Sequence, residues 1–298
     1  MSALIYGANH VITESEKIAL HFNISSFVIG ATLIAVGTSL PEMAASVSAS
    51  LQGKTDMAVA NVLGSVTFNI SLVLGIIFLM SKELSPQRDL FRNDSAWSLF
   101  PLLIFILMAY NGKIDRFDGF LFLLLMGGYL LFLSKDSKNL ENEIDKNLKK
   151  EKFDWKKSLI FLAVGFTFII VGADYTIQSA SEIAKNLGVS EWVIALLLIA
   201  FGTSLPELVV SVVAAKKGNA DMVIGNIIGS NVANFTVVLG ASALANPLSI
   251  SFAKNGFDIM CASISTVMLV FITANKLYNR SAGIGLLIIV LLMISNAF

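Results

Sequence analysis

The chain is divided into long apolar runs that a water-soluble fold could not keep covered. Stretches near 27–50, 57–80, 95–111, 117–134, 157–178, 192–215, 222–247, 257–275 and 281–297 are almost free of charge, and a shorter apolar start occupies about 1–13. A helix needs roughly 20 mostly apolar residues to cross the hydrocarbon core of a bilayer. Inside that core each backbone N–H and C=O must be satisfied within the protein, which leaves helices or closed barrels. Runs of this length predict an all-α polytopic membrane protein of ten transmembrane helices, the first of them cut short. Composition agrees: 55% of residues are hydrophobic, 14% are charged and the mean hydropathy is +0.76, against about a quarter charged in ordinary globular chains. A net charge of zero gives no footprint for nucleic acid, and a single cysteine, Cys261, excludes an intrachain disulfide.

The chain also repeats itself. Shifted by 165 residues, Gly37-Thr-Ser-Leu-Pro-Glu42 falls on Gly202-Thr-Ser-Leu-Pro-Glu207, and the register holds without a gap from Leu4/Ile169 to Gly75/Gly240 with 31 of 72 positions identical. Two greasy stretches can align by composition, but not through a hexapeptide holding Pro and Glu. This is an internal duplication, a mark of transporter folds. Five apolar segments separate the start of one copy from the start of the next, so the second copy enters the membrane from the opposite side. The expected organisation is a first five-helix repeat over 1–133, a charged linker over 134–157 and an inverted second repeat over 158–298.

Orientation follows from the basic residues, which favour the cytoplasmic side. Loops near 14–26, 81–94, 134–157, 216–221 and 276–280 share one face and hold 16 Lys and Arg; the loops of the other face, near 51–56, 112–116, 179–191 and 248–256, hold 5. The linker is therefore expected in the cytoplasm and both termini outside. Without the linker the count is still 8 to 5. Asp56 and Asp221 are read as caps opening the helices that follow them.

Most acids lie in loops or at helix ends, but Glu42 and Glu207 lie well inside apolar runs. A charge at the bilayer centre costs ~2.5 kcal/mol or more, so such residues usually line an ion or substrate path. The plainer reading is a protonated glutamate acting as helix glue; two at matching positions of inverted repeats favour the path. Pro41 and Pro206 lack an N–H, so the carbonyls of Gly37 and Gly202 lose their helical partners. A broken helix at this depth is tolerated where it lines a cavity or is covered by protein. Freed carbonyls from Ala35 to Gly37 and from Ala200 to Gly202, with the hydroxyls of Thr38, Ser39, Thr203 and Ser204, become oxygen ligands. Each glutamate then opens a half-helix, whose dipole favours negative charge.

The next segment of each repeat adds a second polar set. Asn61, Ser65 and Asn69 are spaced by four and share a helix face, as do Asn226, Ser230 and Asn234. Ser65, Ser230, Asn69 and Asn234 are candidate ligands, with interhelical hydrogen bonding as the alternative; Asn61 and Asn226 are read as packing residues. All these donors are hard oxygens, suited to Ca²⁺ and Na⁺ rather than soft transition metals. Two carboxylates neutralise one Ca²⁺ or two Na⁺.

Taken together, paired Gly-Thr-Ser-Leu-Pro-Glu blocks, each followed by Asn-x-x-Gly-Ser-x-x-x-Asn, resemble the α-repeats of the sodium/calcium exchanger family, within the calcium/cation antiporter superfamily, and prokaryotic members in particular. The resemblance covers essentially the whole chain. It implies ten helices in two inverted five-helix halves, with ions held between helices 2, 3, 7 and 8. Its ligands, carried over by position, are Glu42, Glu207, Thr38, Ser39, Thr203, Ser204, Ser65, Ser230, Asn69 and Asn234, with the carbonyls of Ala35 and Ala200. Some family members carry Asp where this chain has Asn234. The second-repeat helix matching the first begins near Ser158, whereas Met1 aligns with Phe166, so about eight membrane residues have no counterpart.

The expected function is a secondary antiporter exchanging Ca²⁺ for Na⁺ by alternating access. It is not an enzyme and needs no cofactor; its transported ions are Ca²⁺ and Na⁺, its partner is the lipid bilayer, and no obligate protein partner is evident. An H⁺-coupled antiporter of the same fold and a cation channel are the alternatives. An intramembrane hydrolase is disfavoured because no nucleophile–histidine pair falls within the membrane.

Overall fold

The computed structural model describes residues 2–81, 84–135, 153–187 and 202–296. The first repeat holds α1 (Ser2–Phe22), α2 (Ser26–Thr38), α3 (Leu40–Leu51), α4 (Thr55–Met80), α5 (Leu90–Ala109) and α6 (Arg116–Ser134). The second holds α7 (Trp155–Asn186), α8 (Leu205–Lys216), α9 (Ala220–Ala245), α10 (Phe252–Ala274) and α11 (Arg280–Asn296). Residues 136–152 of the expected linker, and 188–201 ahead of the second Gly-Thr-Ser-Leu-Pro-Glu block, lie outside the described residues.

Burial sorts the helices by depth. The most apolar windows of α4 and α9 are 83% and 94% buried, against 28% for each of α5, α6 and α7. α4 and α9 therefore form the centre, and the outer helices carry a coat of exposed apolar side chains such as Leu103, Leu107, Leu131, Ile160 and Leu291. In water such a coat would be an aggregation surface; in a bilayer it faces acyl chains. The last helix of each repeat packs on the central helix of the other: α6 lies on the second half of α9, and α11 on the second half of α4. This swap is what makes the two repeats one body.

α2 lies against α9 at unusually short range. A Cβ added at Gly225 would run into the backbone of Phe27, and one at Gly229 into the backbone of Ala31. The Gly225-x-x-x-Gly229 spacing puts both glycines on one face, the arrangement that lets membrane helices approach closely. It brings the end of α2, where the polar block begins, into the core.

The loops sort into two sets. At one end Lys113–Ile114 (β1) pairs antiparallel with Leu248–Ser249 (β2), and Lys254 reaches Asp56 at 3.5 Å. At the other end Gln87 and Arg88 donate their N–H groups to Asp221 at 3.0 and 3.1 Å, Lys217 donates to Thr13 at 2.8 Å, and Asn219 donates to Glu16 at 3.3 Å. These are the same groupings that alternation of the segments requires. Arg88 also pairs with buried Asp94 at 2.6 and 3.0 Å and covers the Phe27 ring. A buried pair of this kind would leave a costly lone charge if one partner were removed.

Two expectations need correction. α1 does not stop near residue 13; it continues to Phe22 for 21 residues, enough at 1.5 Å per residue to span roughly 30 Å. Its second half holds Glu14, Ser15 and Glu16, all buried. Hydropathy counts these against the helix, although Lys17 pairs with Glu14 at 3.1 Å and Asn219 bonds Glu16. Nor does Asp56 cap α4, whose capping position, Lys54, makes no side-chain bond, and Asp221 does not cap α9. Asn219 does so, accepting the Met222 N–H at 3.2 Å, which leaves Asp221 free to hold the loop at Gln87–Arg88.

Candidate ion-binding site

The polar block interrupts its helix where the proline pattern requires. α2 and α3 meet at Ser39 with a bend of 45°. Ser39 has φ −85° and ψ 6°, and its twin Ser204 has φ −86° and ψ 3°, so both repeats break with the same backbone conformation. Pro41 and Pro206 lie in the first turn of the helices that follow, where a missing N–H costs nothing. Glu42 and Glu207 share that first turn. The Ala35 carbonyl, however, is not free: it accepts the Ser39 N–H at 3.0 Å and the Thr38 hydroxyl at 3.2 Å. Ala200 lies outside the described residues.

A second irregularity was not visible in the sequence. The central helices each contain a π-helical turn, Phe68–Leu74 in α4 and Asn234–Val238 in α9, at matching repeat positions; a third, Gly30–Ile34, lies in α2. Such turns are uncommon and often mark functional sites. Asn69 and Asn234 sit at the start of theirs, with both side chains fully buried.

Bonds across the repeats draw the candidate residues together. Ser39 donates to Glu207 Oε1 at 3.2 Å, with the hydroxyls of Thr38 and Ser230 beside the same carboxyl. Glu42 lies close enough to Glu207 for their charges to interact. Thr38 donates to Asn226 Oδ1 at 3.4 Å, and Asn69 donates to Asn231 Oδ1 at 3.2 Å. Asn61 and Asn226 behave as packing residues, and symmetrically: Asn61 donates to Ser46 at 2.8 Å, and Asn226 to the twin serine, Ser211, at 3.0 Å. Asn231 is a further polar neighbour, one residue off the spacing of four that links Asn226, Ser230 and Asn234.

The unpaired atoms are the most informative. Among the described residues, buried side-chain N and O atoms without a protein partner belong to Glu42 (both oxygens), Ser65, Asn69, Thr203, Ser204, Glu207, Ser230 and Asn234, and elsewhere only to Ser15, Tyr129 and Ser242. Each such group costs ~1–3 kcal/mol when left unmatched, so this concentration marks a place built for something other than protein. An ionised carboxylate only accepts. Two carboxyls that feel each other's charge, with the hydroxyls of Thr38, Ser39 and Ser230 beside one of them and no sulfur or imidazole in the unpaired set, suit a hard cation.

Comparison with known proteins agrees. The profile of the family described as sodium/calcium exchanger protein matches residues 1–135 and 157–297. The chain belongs to the sodium/calcium exchanger family. It is 36% identical to an uncharacterized membrane protein of Methanocaldococcus jannaschii over 98% of this chain and 94% of that one. It is 29% identical to the sodium/calcium exchanger MaX1 of Methanosarcina acetivorans, covering 95% and 92% of the two chains. The solved structure of the sodium-calcium exchanger NCX_Mj superposes with a TM-score of 0.81 at 33% identity, over 98% of this chain and 94% of that one. Family membership makes this an integral, multi-pass membrane antiporter built from two inverted repeats.

Proposed function

We propose that this protein exchanges Ca²⁺ for Na⁺ across the membrane, holding both at one site between the repeats. The observation that carries the reading is the cluster of buried, unpaired oxygens around Glu42 and Glu207. Two carboxylates balance one Ca²⁺ or two Na⁺, so either load leaves the low-dielectric site near neutrality, while both together would overcharge it. That exclusion is the simplest basis for coupled exchange. Glu42, Glu207, Ser65, Ser230, Asn69, Asn234 and the hydroxyls of Thr38, Ser39, Thr203 and Ser204 would coordinate the ions. The relatives named sodium/calcium exchangers support the choice of ions.

Alternating access fits the way the repeats differ. α1 packs along α8, whereas the equivalent pair, α7 and α3, makes no comparable packing among the described residues. The end carrying the 81–94 and 216–221 loops is thus the closed one, and exchange of these two packings would open it while closing the other. We assign the closed end to the cytoplasm, with the 134–157 linker there and the termini outside, from the excess of basic residues on that face. The repeats over 1–133 and 158–298 would act as the two halves of the carrier.

The coupling ion is tested directly. Vesicles reconstituted with the purified protein and loaded with Na⁺ should take up ⁴⁵Ca²⁺ on dilution into Na⁺-free buffer. Uptake should collapse when choline replaces the internal Na⁺ at equal pH. If a pH gradient drives uptake with no Na⁺ present, the coupling ion is H⁺; flux far above carrier turnover would point to a channel.

Topology has its own test. Single cysteines at Ser137 or Asn147, in a Cys261→Ser background, should be shielded from impermeant thiol reagents added to intact cells and react once the cells are opened. Ready labelling from outside would invert the assignment.

A further inference from the structure

The residues around the site are matched in identity between the repeats: Glu42 with Glu207, Thr38 with Thr203, Ser39 with Ser204, Ser65 with Ser230 and Asn69 with Asn234. One neighbouring position breaks the match. Val66 of the first repeat is replaced in the second by Asn231, three residues before Asn234 on α9 and only 7% exposed. Asn231 crosses to the other repeat, where its Oδ1 accepts from Asn69 Nδ2 at 3.2 Å.

That bond decides what Asn69 can present. A carboxamide has one end that can ligate a cation and one that cannot: the carbonyl oxygen accepts, and the NH₂ group only donates. With its NH₂ held by Asn231, Asn69 has its Oδ1 buried and without a protein partner, one of the unpaired oxygens clustered about the glutamates. Asn234 has no equivalent anchor, because valine at position 66 offers no polar atom, and both ends of the Asn234 amide are buried and unpaired. An unanchored amide must stop turning before it can serve as a ligand, and this ordering costs side-chain entropy.

We propose that Asn231 is a positioning residue for ion binding: by tying the Asn69 amide nitrogen it commits Asn69 to the site as an oxygen ligand, while Asn234 remains free to turn. The inference rests on the cation-site reading above. It makes the site unequal despite the duplication, with a fixed neutral ligand on the first-repeat side and an adjustable one on the second.

Asn231→Val copies the first repeat and removes the anchor with little change in volume. In vesicles containing the purified full chain, the half-saturating Ca²⁺ concentration should rise about tenfold, the effect of losing roughly one hydrogen bond's worth of orientation. Thermal unfolding in detergent should stay close to that of the unaltered protein. Asn231→Ala gives the same reading should the valine variant fail to fold. The discriminating background is Asn69→Asp, whose two oxygens need no orienting; there Asn231→Val should change Ca²⁺ half-saturation less than twofold. A tenfold loss that persists undiminished in the Asn69→Asp background would make Asn231 a packing residue and overturn the proposal. So would unchanged half-saturation in Asn231→Val while Glu42→Gln still abolishes flux. If Glu42→Gln leaves flux intact as well, it is the cation-site reading that fails.

Discussion

Glu42→Gln and Glu207→Gln are each expected to lower Ca²⁺ transport by about a hundredfold or more, with the protein still inserted and folded. At ~4 Å and an effective dielectric near 20, one unit charge facing another is worth ~4 kcal/mol, and a divalent ion loses more. Glutamine keeps the shape of glutamate, and neither carboxylate forms a salt bridge with a described residue, so the substitution removes charge rather than an ion pair. The Ser39 hydroxyl, which donates to Glu207, would find the glutamine carbonyl in the same place. ⁴⁵Ca²⁺ uptake into vesicles, with size-exclusion and thermal unfolding as checks on folding, measures the effect. Near-normal flux in both variants would remove the glutamates from the mechanism.

The parts of this site that could be read in the sequence are those fixed by local chemistry. Pro41 and Pro206 cannot donate, so the breaks at Ser39 and Ser204 follow from residue type alone. The apolar runs follow from what a bilayer demands of a backbone, and most of the described helices end within a few residues of the expected positions, whereas α1 and α7 run on to Phe22 and Asn186. The glutamates stand out because each is the lone charged residue of a long apolar run.

What was not legible depends on contacts between residues far apart in the chain. The second half of α1 reads as a loop because Glu14, Glu16 and Lys17 suggest a solvated stretch, yet Asn219, more than 200 positions away, donates to Glu16. Asp221 looked like a cap because it precedes a helix, but its partners at Gln87 and Arg88 come from the other repeat. The π-helical turns at Phe68–Leu74 and Asn234–Val238 left no pattern in the spacing of polar residues. Asn231 was visible as a letter, but only the bond to Asn69 gives it meaning.

The same distinction between charge and neutral oxygen leads to the second large effect. Glu42 and Glu207 supply the charge that any coupling ion needs, Na⁺ or H⁺ alike. The hydroxyls of Ser39 and Ser204, both buried, matter differently to the two. A proton needs only a carboxylate, whereas Na⁺ must replace its water shell with several oxygens, and neutral ones add ligands without excess negative charge. The double variant Ser39→Ala/Ser204→Ala keeps both carboxylates and removes two buried oxygens. At ~1–1.5 kcal/mol for each lost ligand, the Na⁺ concentration that half-drives Ca²⁺ uptake should rise by roughly 30- to 160-fold. Ca²⁺, held chiefly by the two charges, should lose much less affinity, so the ratio of the two constants is the quantity to follow. Na⁺ and Ca²⁺ titrations of uptake on the same vesicles give it. A variant that loses both affinities equally has suffered a general disturbance of the site, and one with unchanged Na⁺ dependence shows that these hydroxyls do not ligate the driving ion.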